Sequence, residues 1–230
     1  MIDFQGYGWV FLEGLMVTIP VALCAGVVAV ALGLIGAWGK LAASPIARAI
    51  ANVYTSVVRG VPELVLILLV YYGITTLLQD LMTAVTGADT RVDIDPFTAG
   101  VVTLGAIYGA FATEVFRGAY LAVPKGQIEA AKAVGMAKVL LVRRVLLPQM
   151  WRFALPGLGN VWLVLVKATA LMSVVQLPEL MRMTDIAARA VRMPFTFYFG
   201  AAVIYLAITI ASMLVFQRAE SWANRGVRRA

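Results

Sequence analysis

The 230-residue chain has no histidine and one cysteine. The first absence removes imidazole as metal ligand and as general base, and the second excludes an intrachain disulfide. Cys24 stands inside an apolar run and reads as a small hydrophobe. Charge is also scarce, at 13% of residues against about a quarter in a soluble domain. The first residues, MIDFQGYGWVFLEG, contain acids but no Lys or Arg, so they lack the positive start of a cleavable secretion signal. The first apolar run is therefore expected to stay in the mature protein. Gly39-Lys40 is followed by Leu41, and residue 34 is Leu, so no G-x-x-x-x-G-K-[ST] phosphate loop forms. Any nucleotide must be hydrolysed by another chain. With no internal repeat, low-complexity tract or linker, residues 1–230 are expected to form a single domain.

What the chain has in excess is apolar surface: 62% of residues are hydrophobic and the mean hydropathy is +0.89. That composition belongs to an integral membrane protein. A crossing needs about 20 apolar residues, and such runs lie at 15–38, 61–78, 97–121, 145–171 and 195–216. The expected fold is an all-α membrane protein with five crossings and its termini on opposite sides. Lys40 and Arg48 follow the first run; Lys125, Lys132, Lys138, Arg143 and Arg144 lie between the third and fourth; Arg218, Arg225, Arg228 and Arg229 follow the fifth. Basic loops stay in the cytoplasm, which predicts N-out and C-in. Asp3, and the loop with Asp80, Asp89, Asp93 and Asp95 against Arg91 alone, then face outward. Residues 173–193 carry Glu179, Arg182, Asp185, Arg189 and Arg192 and read as an amphipathic outer helix bounded by Pro178 and Pro194. Their three arginines fit the charge rule poorly.

Small residues mark where spans meet, because close packing drives helix association in lipid. Ala25, Ala29, Gly33 and Ala37 fall on one face of the first span, Gly105 and Gly109 form a GxxxG in the third, and Gly200, Ala201, Ala207 and Ala211 lighten the fifth. Bundle packing is the expected role for them, with a hinge or dimer role as the alternative. Residues 124–135 break the apolar pattern with a short polar helix: Pro124 suits a helix start and Gly135 a left-handed C-terminal cap. Ile128, Ala131 and Val134 recur on one side, with Glu129 and Lys132 on another. So short a helix is marginal alone and needs a surface to dock on, either a soluble partner or the inner leaflet.

Five ionisable residues fall within or at the ends of the spans: Arg59, Glu63, Glu114, Arg117 and Lys167. Each costs about 2.5 to 3.5 kcal/mol near a span centre, and so needs a partner or a watery path. Arg59 with Glu63, and Glu114 with Arg117, have the spacing of pairs on one helix. Glu63 follows Pro62, which removes a backbone donor where a polar pathway can open.

Glu129-Ala130-Ala131, then Gly135, then Val145-Leu146-Leu147-Pro148 resemble the E-A-A-x3-G-x9-I-x-L-P signature of bacterial ABC importer permeases, with Val145 in place of isoleucine. Arg59-Gly60-Val61-Pro62-Glu63-Leu64 through Tyr71-Tyr72-Gly73, Tyr108-Gly109-Ala110 through Thr113-Glu114-Val115-Phe116-Arg117-Gly118, and Lys167 to Ser173 are similar to the polar amino acid subfamily, nearest its histidine, lysine, arginine and ornithine-type, Q-like branch. The resemblance implies a type I, MetI-like permease of the bacterial inner membrane. It also implies a second homologous permease, two cytoplasmic ATPase subunits that bind ATP and Mg, and a periplasmic amino acid binding protein. In it, residues 124–135 are the coupling helix, with Gln127, Glu129, Ala130, Ala131 and Gly135 meeting the ATPase. Substrate contacts are expected from Glu63, Glu114, Thr113 and Pro62. Lys167, Thr169 and Ser173 are either substrate contacts or helix-packing residues. Glu63 departs from the apolar residue usual in the subfamily and points to cationic amino acids or arginine-derived opines. A polytopic membrane enzyme using Glu63, Glu114 and Lys167, or a scaffold subunit, are the readings from other classes; no metal cluster, activated nucleophile or phosphate motif supports the enzyme.

Overall fold

The computed structural model describes residues 4, 6–87 and 94–225. Asp3, Asp89, Arg91, Asp93, Arg228 and Arg229 lie outside the described residues. Among the described residues all regular structure is helical, and five runs are long and apolar enough to cross a membrane: Trp9–Leu41, Glu63–Val85, Pro96–Ala122, Lys138–Val175 and Pro194–Ala223.

The first helix, α1 (Trp9–Leu41), and α5 (Pro96–Ala122) form the largest helix pair. Their interface is built from small residues. A Cβ added to Gly105 would stand 2.5 Å from Val28 Cγ1, and one on Gly109 would stand 2.9 Å from Leu32 Cβ. Ala25, Ala29, Gly33 and Ala37 are buried on the facing side of α1. Asp95 caps α5 by accepting from Thr98 N–H at 2.9 Å, and Pro96 fills the first turn, where its missing donor costs nothing.

A helix that the apolar runs did not announce, α2 (Pro45–Gly60), separates the first two spans, capped by Ser44. It leans on α1 and α5 through Ala51 and Thr55, and leaves Ile46, Ile50, Val53 and Val57 exposed. Gly60-Val61-Pro62 then breaks the helix, and the second span restarts as α3 (Glu63–Leu68), a π-turn at Leu69–Gly73 and α4 (Ile74–Thr86). The polar α6 (Lys125–Ala133) and the single turn α7 (Lys138–Leu141) lead into a second π-turn, Val142–Leu146. Pro148 accounts for that turn: it offers no N–H to the Arg144 carbonyl and its ring crowds it, so the backbone widens by one residue, with Leu147 N–H bonding to Val142. The fourth span continues as α8 (Leu147–Ala168) and tightens to a 3₁₀ turn, Thr169–Val175. The expected outer helix is α9 (Leu180–Val191), and α10 (Pro194–Ala223) closes the chain.

Two ends of the bundle differ in chemistry. At one, Gly14 of α1 meets Leu180 of α9, Phe11 stacks on Phe197 of α10, and Gly100 of α5 meets Met172 of the 3₁₀ turn. At the other, Gly36 lies against Thr113, Gly157 against Val115 and Gly159 against Phe216. This second end gathers Lys40, Lys125, Lys132, Lys138, Arg143, Arg144 and Arg218.

Candidate functional site

Glu63 opens α3 directly after the helix break. Its carboxylate accepts from the Tyr108 hydroxyl at 3.0 Å, and no cation lies within salt-bridge distance of it among the described residues. Pro62 sets the break but its own carbonyl accepts Leu66 N–H, so that carbonyl is not free. The expected Arg59–Glu63 pair does not form. The Gly60-Val61-Pro62 break takes the two residues off a common helix, and Arg59 instead lies over the Phe111 ring, 5.3 Å from its centroid. Tyr108 is 1% exposed. It belonged to a string matched in the sequence, yet only the fold aims its phenol at Glu63.

Glu114 has the opposite environment. It receives Arg117 Nε at 2.9 Å, the expected pair, and also pairs with Lys40. Lys40, expected in the basic segment after the first span, occupies the last turn of α1 and turns inward onto Glu114. Thr113 is fully buried, donates to the Gly109 carbonyl at 2.8 Å and packs against Gly36.

The Lys167 to Ser173 string splits where α8 becomes 3₁₀. Phe153, Pro156, Asn160, Val164 and Lys167 are exposed along one side of α8, so Lys167 projects out of the bundle. Thr169 is buried, donating to the Val166 carbonyl at 2.7 Å, while Ser173 lies beside Arg182 and Asp185 in a cleft against α9. These residues do not converge on one point. Lys167 and Asn160 form a polar stripe on an otherwise apolar span, a surface ill suited to lipid.

Glu179 stands among arginines in the sequence, where with Asp185 it partly offsets their charge. It is fully buried, caps α9 by accepting from Met181 and Arg182 N–H, both at 2.8 Å, and receives the Tyr205 hydroxyl at 3.2 Å. Thr18 adds a bond to Leu180 N–H at 3.0 Å, tying the same corner to α1. Burial without a cation pushes the Glu179 carboxyl up to about 7, although its hydrogen bonds pull the other way. Because the folded carboxyl holds its proton more tightly than the unfolded one, its contribution to stability is complete at acid pH, below the ordinary carboxylate range. It is lost as pH rises through about 7. Thermal unfolding of the subunit from pH 4 to pH 8 should show a loss on the order of 3 kcal/mol across that window, and Glu179→Gln should flatten it. A wild-type curve already flat there contradicts this.

At the basic end, α6 rests on the π-turn and α7 through Ala131, which is buried, and Ile128, which is half-buried. Gln127, Glu129 and Ala130 face away. Gly135 has φ +74, the left-handed value expected of a cap, with its N–H on the Lys132 carbonyl and Met136 N–H on Ala131. Val134 does not join the inner side as its spacing suggested. It follows the last helical residue, where the chain turns, and is 77% exposed, as Val139 is at 80%.

The sequence model of the family described as "Binding-protein-dependent transport system inner membrane component" matches residues 29–229. The chain is 45% identical over 225 residues to the histidine/lysine/arginine/ornithine transport system permease protein HisQ of Escherichia coli (strain K12), covering 98% of each. It is 47% identical over 223 residues to the nopaline transport system permease protein NocQ of Agrobacterium fabrum (strain C58), covering 97% of this chain and 94% of that one. Among solved structures, an amino acid ABC transporter crystallised with histidines superposes with a TM-score of 0.80 at 31% identity, covering 96% of this chain and 99% of that chain. The inward-facing MetNI methionine transporter superposes at 0.70 with 19% identity over 94% and 97%, a likeness of fold.

Proposed function

The chain belongs to the binding-protein-dependent transport system inner membrane components, and we propose that its 230 residues form one permease domain of an ATP-driven importer of cationic amino acids. The observation that carries the cargo class is Glu63: an acid in a membrane span, part-exposed at a helix break, bonded to a neutral phenol and without a cation of its own among the described residues. A carboxylate in that position attracts a positive side chain far more strongly than one in water. Glu114 already has Lys40 and Arg117, which makes it the weaker candidate for the substrate's α-ammonium, and Thr113 contributes packing. Exposed Lys167 and Asn160 suit a watery path between this chain and a second, homologous permease.

The basic end faces the cytoplasm and the N-terminus lies outside, in keeping with the positive-inside rule. There α6 is the coupling helix, presenting Gln127, Glu129 and Ala130 to a separate ATPase that binds ATP and Mg, while a periplasmic binding protein delivers cargo at the opposite end. An opine importer is the second reading, favoured by the 47% identity to the nopaline permease protein. Uptake by the reconstituted assembly decides: labelled arginine, lysine, histidine and ornithine should enter in preference to glutamine and glutamate, with excess nopaline as competitor separating the two readings. Equal entry of glutamate and arginine overturns both.

A further inference from the structure

We infer that the outward face of α9, bearing Arg182, Arg189 and Arg192, docks a carboxylate-rich patch on the soluble binding protein that delivers the cargo. The inference rests on the orientation and cargo class proposed above.

These arginines stand where basic residues are ordinarily withheld, at the end of the bundle opposite Lys40, Lys125, Lys132, Lys138, Arg143, Arg144 and Arg218. One side of α9 is engaged by protein, with Leu180, Thr184, Ala187 and Ala188 buried against α1 and α10, while Ile186 stays half exposed beside the charged side. A helix lying on lipid would turn that side to the bilayer; here it is the charged side that is left for an occupant. Neutralisation within the chain is partial. Asp185 accepts from the Tyr198 hydroxyl at 2.7 Å and from Arg189 Nε at 3.0 Å, and the Arg189 side chain remains 80% exposed. Arg182 and Arg192 have no carboxylate within 4 Å among the described residues.

Arg192 adds a second observation. It ends α9 with φ +56, a left-handed position that glycine or asparagine fills at least cost. The fold tolerates an arginine where a cheaper residue caps better, which points to a use for its side chain. Beside these residues a cleft of about 280 Å³, lined in part by Ser173, Arg182, Asp185 and Tyr198, offers a recess for an incoming side chain.

Charge complementarity selects the occupant. Three cations at the entrance of a cation pathway repel free cargo within a Debye length of about 8 Å. A partner carrying carboxylates cancels that field, so the entrance accepts a cation only while the delivering protein is seated.

The test uses the complete importer in nanodiscs, titrated with its binding protein while ATP hydrolysis is followed at several salt concentrations. The combined Arg182→Gln, Arg189→Gln and Arg192→Asn variant should raise the half-saturating binding-protein concentration about tenfold and flatten its salt dependence. Lysine at the three positions should retain most of the affinity. Unchanged half-saturation and salt slope in the neutral variant, with arginine uptake intact, overturn the docking role while leaving the importer reading in place. A lysine variant as weak as the neutral one also overturns it, because charge is then not what the face supplies. The same holds if the arginines respond to the anionic-lipid content of the nanodisc and not to the binding protein. Wild-type hydrolysis that ignores every binding protein sinks the importer reading and this inference with it.

Discussion

Glu63→Gln in the reconstituted importer should lower arginine and lysine uptake by about 30-fold or more, on the view that breaking a buried, hydrogen-bonded charge pair costs about 2 to 5 kcal/mol and each 1.4 kcal/mol is a factor of ten. The substitution is nearly isosteric, and its carbonyl still accepts the Tyr108 hydroxyl, so the loss isolates charge from packing. Tyr108→Phe supplies the contrast. It removes the phenol that orients the carboxylate and leaves the charge, so it should cost less, about the 0.5 to 1.5 kcal/mol of one hydrogen bond. The order of the two effects is informative: a structural carboxylate that merely anchors α3 to α5 would lose little from Glu63→Gln, which keeps the hydrogen bond, and more from Tyr108→Phe, which removes it. Glu114→Gln should behave differently again, because it leaves the part-buried Lys40 without its acid. There the deficit should appear as lower thermal stability of the subunit, not as a change in which amino acid is preferred. Arginine uptake by Glu63→Gln at the wild-type rate, in an intact assembly, removes Glu63 from the pathway.

The contrast between these two acids also shows how far the sequence reaches. Five crossings, the small-residue seam of α1 and α5, the amphipathic helix between the last two spans and the left-handed turn at Gly135 were all legible, since each follows from local pattern: apolar length, four-residue spacing or a required backbone angle. Which acids are neutralised was not. Glu114 and Arg117 are neighbours on one helix and were readable as a pair, but Lys40 comes from another helix 74 positions away. Arg59 and Glu63 had equally good spacing and were parted by a break whose proline was in plain view. Glu179 is the clearest loss: in the sequence it sits among arginines and looks solvated, while the fold points it inward beneath the start of α9, where α1 and α10 close over it. Spacing along one helix carries the first kind of information; the angle at which helices meet carries the second. The same limit explains Val134, since a three-residue rhythm holds only while the helix lasts, and α6 stops at Ala133.

The largest expected effect on coupling comes from Glu129→Lys combined with Gly135→Val. Glu129 reverses charge on the side of α6 that faces away from the bundle, and Ala130 beside it is small enough to let a partner approach closely. Gly135 holds φ +74, where a β-branched residue is a genuine outlier. Valine there should undo the bonds from Gly135 N–H to Lys132 and from Met136 N–H to Ala131, fraying the last turn of α6 and displacing the exposed Val134 and Val139. The bundle itself is insulated from this damage, because among the described residues nothing comes within 4 Å of a Cβ placed at Gly135. The variant should therefore insert, assemble as a folded subunit and keep its melting temperature within a few degrees, while transport falls by at least about tenfold, the equivalent of 1.4 kcal/mol in coupling. ATP hydrolysis should no longer rise when loaded binding protein is added. The two changes act at one surface, so their combined effect need not equal the sum of the single ones. Gly135→Asn gives the internal check: asparagine tolerates left-handed backbone, so it should preserve most coupling where valine does not. Hydrolysis still stimulated to the wild-type level in the double variant would show that force enters the bundle by some route other than α6.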